Sequence, residues 1–233
     1  MTDVLQAIHG GLVVSCQAYP GEPMNTTPTM RAVALAVVEG GAAGLRVQGI
    51  EDIVAIRAAV ELPLIGLWKD GHDGVFITPT LDHALAVAEA GADVVALDGT
   101  QRPRPDGRSL AETIAAVHDR TGKLVMADCS TYDEGVAAAE AGADAIGTTL
   151  SGYTPYTIKG DGPDLALVGR LATALDRPVV AEGRIHTPDQ AAGALAAGAW
   201  AVVVGTAITH PTSITSWFAA AVKSGAQGPV VSG

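Results

Sequence analysis

Residues 89–93 read Glu-Ala-Gly-Ala-Asp, and the same five residues return at positions 140–144. Looser copies, EGGAA at residues 39–43 and AAGAW at residues 196–200, keep small residues around one glycine. Each copy follows a segment of helical length and precedes a short apolar run. Glycine readily adopts the left-handed conformation that ends an α-helix, and the small residue after it lets the chain turn. The four copies therefore predict repeated junctions from helix to strand.

Apolar runs alternate with these helical segments along the chain. Near-continuous apolar runs are typical of parallel strands that are covered by helices on both faces. We predict eight strands, at residues 11–17, 44–48, 64–69, 94–98, 124–128, 145–149, 179–182 and 201–205. We predict eight helices, at residues 29–39, 50–60, 81–90, 109–120, 132–141, 164–175, 188–197 and 213–222. Strict alternation of strands and helices indicates βαβ units.

Eight βα units in 233 residues fit the α/β class as a single (β/α)8 TIM barrel, one domain over residues 1–233. The alternative is an open, doubly wound sheet, which normally carries a glycine-rich phosphate loop after its first strand. Here the first predicted strand ends in VSCQA at residues 14–18, without such a loop. The sequence also shows no linker that would mark a second domain. The barrel is therefore the preferred interpretation.

Net charge and hydropathy argue against nucleic acids and membranes as binding partners. The chain has 14 Lys and Arg against 25 Asp and Glu, a formal charge of −11. Such a charge argues against nucleic acid as a partner, but a phosphorylated small molecule needs only one local anion site. The apolar runs are far shorter than the ~20 residues of a membrane span, and residues 1–11 lack the basic start of a signal peptide. We expect a soluble, cytoplasmic protein that does not bind a membrane.

The cysteines and histidines do not have the spacing of metal ligands. Cys16 and Cys129 match no zinc motif, and we expect both to be buried as small apolar side chains. The six histidines fall in helices, beside loops or near strand ends without partners at suitable spacing. We therefore predict no metal site.

Reacting groups of a TIM barrel lie at the carboxyl ends of its strands. The polar residues predicted at these ends include Gln17, Arg46, Gln48, Lys69, Asp98, Asp128, Glu182 and Thr206. Burial and a neighbouring Arg46 favour the neutral amine of Lys69, while nearby carboxylates favour the charged form. Lys69 is thus a candidate base, with phosphate pairing and Schiff-base chemistry as open alternatives. Glu182 is the candidate carboxyl acid or base.

Glycines open the loops after the last two predicted strands. Gly183 and Arg184 follow the seventh strand, and Gly205 and Thr206 follow the eighth. TIM barrels often bind phosphate through backbone N–H groups of these two loops and the N-terminus of a short helix. Glycine lets the backbone approach the anion, and the Thr206 hydroxyl adds a donor. We therefore predict a phosphorylated substrate, with ordinary tight turns as the alternative.

Seven stretches, taken in order, carry a family resemblance over essentially the whole chain. They are GGLVVSCQA at residues 10–18, VFITPT at 75–80, RPRPDG at 102–107, MAD at 126–128, GTTLSGY at 147–153, AEGRI at 181–185 and VGTAIT at 204–209. The chain resembles the bacterial N-acetylmannosamine-6-phosphate 2-epimerases. The resemblance implies a homodimeric barrel enzyme of sialic acid catabolism, without metal or organic cofactor. Such an enzyme interconverts the phosphorylated N-acetylhexosamines N-acetylmannosamine 6-phosphate and N-acetylglucosamine 6-phosphate.

The resemblance also implies roles for individual residues. The catalytic lysine and glutamate of the family fall on Lys69 and Glu182, its substrate-contacting arginine and aspartate on Arg46 and Asp128, and its first-strand glutamine on Gln17. We hypothesise that Lys69 removes the C2 proton of the ring-opened sugar. Glu182 would assist ring opening and supply a proton for the opposite configuration. A ribulose-phosphate 3-epimerase-like isomerase and a non-catalytic phosphosugar-binding barrel are the alternatives.

Three short segments depart from the pattern of that family. The residues after the second strand are Arg46-Val47-Gln48-Gly49, where the family usually has Arg-Ala-Asn-Gly. Lys69 is followed by Asp70-Gly71-His72 in place of Arg-Asp-Tyr. His210 precedes Pro211 where the family usually has an arginine. Because histidine pairs with phosphate more weakly and in a pH-dependent way, we expect His210 to tune phosphate affinity.

Overall fold

The computed structural model describes residues 3–226 and contains a closed barrel of eight parallel strands. Consecutive strands pair with one another, and the eighth pairs with the first. The strands are β1 (Leu12–Cys16), β2 (Gly44–Gln48), β3 (Leu64–Leu67), β4 (Val94–Asp98), β5 (Leu124–Asp128), β6 (Ala145–Gly147), β7 (Val179–Glu182) and β8 (Ala201–Val204). The predicted (β/α)8 fold is thereby confirmed. The predicted domain of residues 1–233 includes residues 1–2 and 227–233, which lie outside the described residues.

Helices alternate with the strands on the outside of the barrel. They are α1 (Asp3–Ala7), α2 (Thr27–Glu39), α3 (Ile50–Arg57), α4 (Leu81–Glu89), α5 (Leu110–Thr121), α6 (Tyr132–Glu140), α7 (Leu165–Ala174), α8 (Pro188–Ala196), α9 (Thr206–Thr209) and α10 (Pro211–Ala226). Within residues 3–226, none of them is long and apolar enough to cross a bilayer.

Several predicted boundaries are wrong. Strands β1, β3, β6 and β8 end one or two residues before the predicted ends. β3 stops early because the chain turns into a hairpin over residues 68–78, in which Lys69 forms an antiparallel bridge with Ile77. Two helices were not predicted, α1 and α9, because four or five residues are too few to show a helical period.

The repeated glycines end helices as predicted. Gly91 follows α4 with φ of +110°, and Gly142 follows α6 with φ of +100°. The N–H of Gly91 donates to the carbonyl of Ala88 (3.2 Å), and the N–H of Ala92 donates to that of Val87 (3.4 Å). These are the two hydrogen bonds of a Schellman motif, which satisfies the last carbonyls of a helix. Glycine is needed because this φ strains any residue with a Cβ.

Alternation along each strand decides which side chains reach the interior of the barrel. On β5, Met126 belongs to the interior cluster, whereas Val125 and Ala127 pack toward the helices. Because successive side chains of a strand point to opposite faces, Asp128 lies on the same inner side as Met126. Its position as the last residue of β5 places its carboxylate at the mouth of the barrel.

The same rule applies to two other strands. On β2, Leu45 and Val47 pack outward, so Arg46 between them points inward. On β7, Val180 lies inside, and Glu182 follows it by two residues. The strand period thus brings a guanidinium and two carboxylates from three separate strands into one space. That space is the carboxyl end of the barrel, where TIM barrels carry their chemistry.

Candidate active site

Arg46 lies at the centre of the barrel mouth and is only 1% exposed. Its guanidinium donates to both carboxylate oxygens of Asp128, from Nη1 to Oδ1 over 3.1 Å and from Nη2 to Oδ2 over 2.5 Å. Nη1 also lies 3.2 Å from Oε2 of Glu182. Burial alone lowers the pKa of Arg46, but the charges of Asp128 and Glu182 raise the pKa above its ordinary value. Arg46 is therefore a permanent buried cation that joins two carboxylates.

Glu182 has a pKa raised to about 7. Burial is the largest cause, because it disfavours the charged carboxylate, and the negative charge of Asp128 raises the pKa further. The positive charges of Arg46 and Lys69 act in the opposite direction. A pKa near neutrality means that Glu182 can both release and accept a proton under physiological conditions, as general acid–base catalysis requires.

Lys69 lies in the hairpin that follows β3 and is partly buried. Its Nζ donates to Oε1 of Gln17 over 2.8 Å, and Nε2 of Gln17 donates to Oγ of Ser15 over 2.7 Å. Burial lowers the pKa of Lys69, and the charge of Arg46 lowers it further, whereas Glu182 and Asp128 oppose both effects. This balance is the one predicted for a lysine that gives up its proton more readily than a free amine.

Thr149 is a site residue that the sequence analysis missed. Its hydroxyl lies 2.7 Å from Oδ1 of Asp128 and 3.0 Å from Oε2 of Glu182. Space for these contacts depends on Gly147, where a Cβ would stand 2.9 Å from Asp128 Oδ1 and 3.0 Å from Thr149 Oγ1. The available signal was its place at the end of the predicted strand 145–149, within the GTT motif.

The four residues predicted to bind phosphate lie at neighbouring strand ends. Gly183 and Arg184 follow β7 with left-handed φ values of +107° and +55°, and Gly205 precedes the first residue of α9, Thr206. Within residues 3–226, the backbone N–H groups of Arg184, Gly205 and Thr206 have no protein acceptor, whereas Gly183 continues the β7–β8 ladder, in which Glu182 pairs with Val203. The three free N–H groups can bind an anion, which is the role predicted for this end of the barrel.

The side chain of Arg184 binds backbone carbonyls of the protein. Its guanidinium donates to the carbonyls of Ser151 and Gly162, which belong to the segment between β6 and α7. It also lies over the ring of Tyr153, 5.4 Å from the centroid. These contacts hold that long segment against the start of the loop after β7. The prediction that Arg184 binds substrate therefore concerns its backbone N–H.

His210 follows α9 directly and is buried, at 5% exposure. Its ring packs on Tyr19 with 4.7 Å between centroids, and its Nδ1 lies 3.4 Å from Oε2 of Glu22. Burial lowers the pKa of His210, Glu22 opposes this, and the charge of Lys69 lowers the pKa further. A solvent-facing position for His210 is thus excluded, and the ring lies under the β1–α2 segment.

The other departures from the family pattern lie around Lys69. The backbone N–H of Lys69 donates to Oε1 of Gln48 over 3.4 Å. Asp70 lies 3.3 Å from Nε2 of His83, whereas His72 is fully at the surface beside Asp73. Gln48 and Asp70 therefore support the hairpin that carries the candidate base. His72 contributes nothing to the mouth of the barrel.

Asp98 and the two cysteines lie outside the group of side chains around Arg46. Asp98 at the end of β4 is bound within its own loop, where it accepts from Thr100 and pairs with Arg102 at 2.7 Å. Cys16 and Cys129 are free and fully buried, as expected. In the part of the chain that the structure describes, no three His, Cys, Asp or Glu side chains converge on a position for a metal ion.

The sequence matches a family of known proteins. A family model described as "Putative N-acetylmannosamine-6-phosphate epimerase" matches residues 30–224. A relative from Cutibacterium acnes, named "Putative N-acetylmannosamine-6-phosphate 2-epimerase", is 58% identical over 222 residues, which are 94% of this chain and 97% of the relative. A relative of the same name from Caldanaerobacter subterraneus is 48% identical over 95% of this chain and 94% of its own length.

A solved structure supports the same comparison. The N-acetylmannosamine-6-phosphate 2-epimerase from Clostridium perfringens is 40% identical and matches the barrel with a TM-score of 0.91. The match covers 94% of this chain and 96% of the solved chain. The likeness therefore extends over almost the whole of both chains.

Replacing the central cation tests how the mouth of the barrel is held together. Arg46→Met should lower the free energy of unfolding by about 3–5 kcal/mol, because Asp128 and Glu182 are then buried without their cation. Lys123→Met is the control, since Lys123 lies 3.8 Å from Asp93 at the surface and its loss should cost less than about 1 kcal/mol. Urea denaturation above neutral pH measures the free energy of unfolding of both variants. Equally small decreases in the two variants would contradict the central role of Arg46.

Proposed function

The chain belongs to the family of N-acetylmannosamine-6-phosphate epimerases, and we propose that Lys69 and Glu182 exchange the protons of its reaction. The enzyme is an isomerase that interconverts N-acetylmannosamine 6-phosphate and N-acetylglucosamine 6-phosphate, two sugars that differ only in the configuration at C2. It serves the catabolism of sialic acid and N-acetylmannosamine. We propose that one barrel domain, residues 1–233, performs the whole reaction.

The observation that carries this proposal is the position of Lys69 and Glu182 around the barrel. Lys69 follows β3 and Glu182 ends β7, and these two strands are four apart in a closed ring of eight. The two groups therefore approach the mouth from opposite sides. A carbon atom held between them presents one face to an amine and the other face to a carboxyl group. Inversion of C2 needs such an arrangement.

The chemistry follows from the bond that must break. The C2 proton is not acidic in the closed ring, whereas in the open chain it lies next to the C1 aldehyde. The neutral amine of Lys69 takes this proton, the C2–H electron pair forms the C1=C2 bond, and the aldehyde oxygen gains the negative charge of an enediolate. Glu182 in its protonated form then donates to C2 from the opposite face, and the C1 carbonyl returns. Protonated Glu182 also assists ring opening.

Neighbouring residues prepare both groups for this exchange. The charge of Arg46 stabilises the enediolate oxygen, because it lies in a site largely closed to water. Gln17 accepts one N–H of Lys69 and so fixes the direction of the amine. Asp128 and Gln17 supply polar contacts to the hydroxyl and N-acetyl groups of the sugar. These roles agree with the contacts that each side chain makes.

The phosphate anchors the open-chain sugar at the end opposite to C1. Backbone N–H groups of Gly183, Arg184, Gly205 and Thr206 bind it, and the free donors at Arg184, Gly205 and Thr206 support this assignment. Binding energy from the phosphate holds C2 between the two reacting groups, which lowers the entropy cost of the reaction. The substrate is then the only partner that the chemistry requires.

Single substitutions separate the two proton carriers. Lys69→Ala should reduce turnover to at most a few per cent, because it removes the proposed base. Glu182→Gln keeps the shape of the side chain but cannot release a proton, so turnover should fall by about 10²-fold. Both are measured by NMR as conversion of N-acetylmannosamine 6-phosphate to its C2 epimer, with deuterium incorporation at C2 in D₂O followed alongside and circular dichroism as the control for folding. Near-normal epimer conversion in Glu182→Gln would make Glu182 structural, and a binding-only barrel would show neither conversion nor exchange in the wild type.

His210 provides a pH-dependent test of the phosphate site. Burial and the charge of Lys69 lower the pKa of His210, so its ring gains a proton only at a lower pH than an ordinary histidine does. The charged ring would strengthen phosphate binding, so KM should rise as pH increases through the lowered pKa. His210→Arg should flatten this rise and lower KM with little change in kcat, because the phosphate is remote from C2. Identical pH profiles of KM in the two proteins would show that His210 does not meet the phosphate.

We also propose that the enzyme is a cytoplasmic homodimer. The supporting feature is α10, in which no residue from Pro211 to Gly225 is buried. Phe218 and Val222, one helical turn apart, are 70% and 71% exposed and form an apolar stripe with Trp217. Such a stripe is costly in water, and a second copy of the chain would cover it. The cytoplasm is where phosphorylated sugars are retained.

A charge placed on this stripe tests the dimer. Phe218→Asp should shift the protein from twice the mass of one chain to a single-chain mass, because the carboxylate cannot be buried without a partner. Ser216→Asp puts the same charge on the face of α10 opposite the stripe and should leave the dimer intact. Light scattering after gel filtration measures both variants. A wild-type protein with the mass of one chain would contradict the proposal.

A further inference from the structure

Two carboxylate oxygens in the mouth of the barrel share the same pair of hydrogen-bond partners. Asp128 Oδ1 and Glu182 Oε2 lie 3.1 Å and 3.2 Å from Nη1 of Arg46. The same two oxygens lie 2.7 Å and 3.0 Å from the hydroxyl of Thr149. Arg46 and Thr149 therefore both bridge the two carboxylates. The positive charge of the guanidinium acts on both carboxylates. The hydroxyl has one proton, so it can donate a hydrogen bond to only one of them at a time.

The hydrogen bonds of Thr149 depend on how many protons the two carboxylates carry. A hydrogen bond donated by Thr149 to ionised Glu182 would lower the pKa of Glu182. When both carboxylates are ionised, however, the single hydroxyl proton goes to the nearer acceptor, which is Asp128. When one proton is added to Glu182, its O–H donates to the free lone pair of Thr149, and Thr149 still donates to Asp128. The hydroxyl then takes part in two hydrogen bonds. It therefore stabilises the singly protonated pair more than the ionised pair.

From this geometry we propose that Thr149 is a positioning residue that directs the shared proton to Glu182 and keeps Asp128 ionised. The hydrogen bonds run from Glu182 to Thr149 and from Thr149 to Asp128. A proton on Asp128 would be less well placed, because both oxygens of Asp128 already accept from Arg46. The inference rests on the proposed role of Glu182 as the acid that donates to C2. It adds the reason why the proton is on that carboxyl group.

Arg46 acts in the same direction as Thr149. Glu182 is faced by Arg46 from β2, Lys69 from the hairpin after β3 and Asp128 from β5. Arg46 donates two hydrogen bonds to Asp128 and lies 3.2 Å from Glu182, so its charge favours the ionised form of Asp128 more strongly. Thr149 adds a hydroxyl that can accept from protonated Glu182 while it donates to Asp128. Its position after β6 places it between β5 and β7, the two strands that carry the carboxylates.

Removal of the hydroxyl gives a signed prediction. Thr149→Val keeps the size of the side chain but removes its hydroxyl. The singly protonated pair of carboxylates then loses two hydrogen bonds, whereas the ionised pair loses one. The limb of the activity profile that belongs to Glu182 should move from near pH 7 to lower pH by about 0.5–1 unit, the shift expected for one lost hydrogen bond. Thr149→Ser restores the hydroxyl and should return the limb toward its wild-type position.

The experiment compares four proteins: wild type, Thr149→Val, Thr149→Ser and Glu182→Gln. The profile of kcat/KM against pH is measured from N-acetylmannosamine 6-phosphate, whose phosphate titrates identically in all four. Carboxyl ¹³C NMR of glutamate-labelled protein follows the same titration without substrate. A loss of packing alone lowers activity at every pH without moving the limb, so the limb position separates the two effects. Thr149→Ala replaces Thr149→Val if the latter does not fold.

The outcomes are distinct. A limb displaced to lower pH in Thr149→Val and restored in Thr149→Ser supports the proposal. An unmoved limb, or one displaced to higher pH, overturns it, provided that Glu182→Gln has lost the limb, and the assignment of Glu182 as the acid then stands. A limb that persists in Glu182→Gln overturns the role of Glu182 and the proposal for Thr149 together.

Discussion

The mouth of the barrel depends on one buried cation, the guanidinium of Arg46. Asp128 and Glu182 are brought close together in a space that excludes most water, where two negative charges repel strongly. Arg46 offsets this repulsion with two hydrogen bonds to Asp128 and one close contact to Glu182. Together with burial, its charge also lowers the pKa of Lys69. One residue thus holds the site together and lowers the pKa of both Lys69 and Glu182, the two proposed proton carriers.

Much of this could be predicted from the sequence, because the physics that places these residues is local and periodic. Apolar runs and glycine helix ends indicated the barrel, and a strand period of two fixes which residues point inward. Arg46, Asp128 and Glu182 follow from that period without any knowledge of their partners. The opposed effects of burial, Arg46 and the carboxylates on Lys69 could also be predicted, since they depend only on residues gathered at one end of a barrel.

The contacts that were missed depend on distances that no period encodes. Thr149 lies beyond the last residue of β6, and its hydroxyl reaches two carboxylates only because Gly147 leaves room. Arg184 has the spacing of a substrate ligand, yet its guanidinium binds carbonyls of the segment before α7. His210 is buried by packing on Tyr19, a residue from the opposite end of the sequence. Such pairings arise from loop conformation, which composition and spacing do not determine.

Closure of the sheet is what turns these residues into a site that can act on both faces of one carbon. In an open parallel sheet, the third and seventh strands would be separated by three others, with their ends on a line. In the closed ring of eight they stand opposite each other, so the hairpin after β3 and the end of β7 face across the mouth. In the proposed mechanism, the N–H groups after β7 and β8 then fix the sugar to one side of that gap. On that mechanism, the stereochemistry of the reaction is a consequence of barrel closure together with the side-chain chemistry of Lys69 and Glu182.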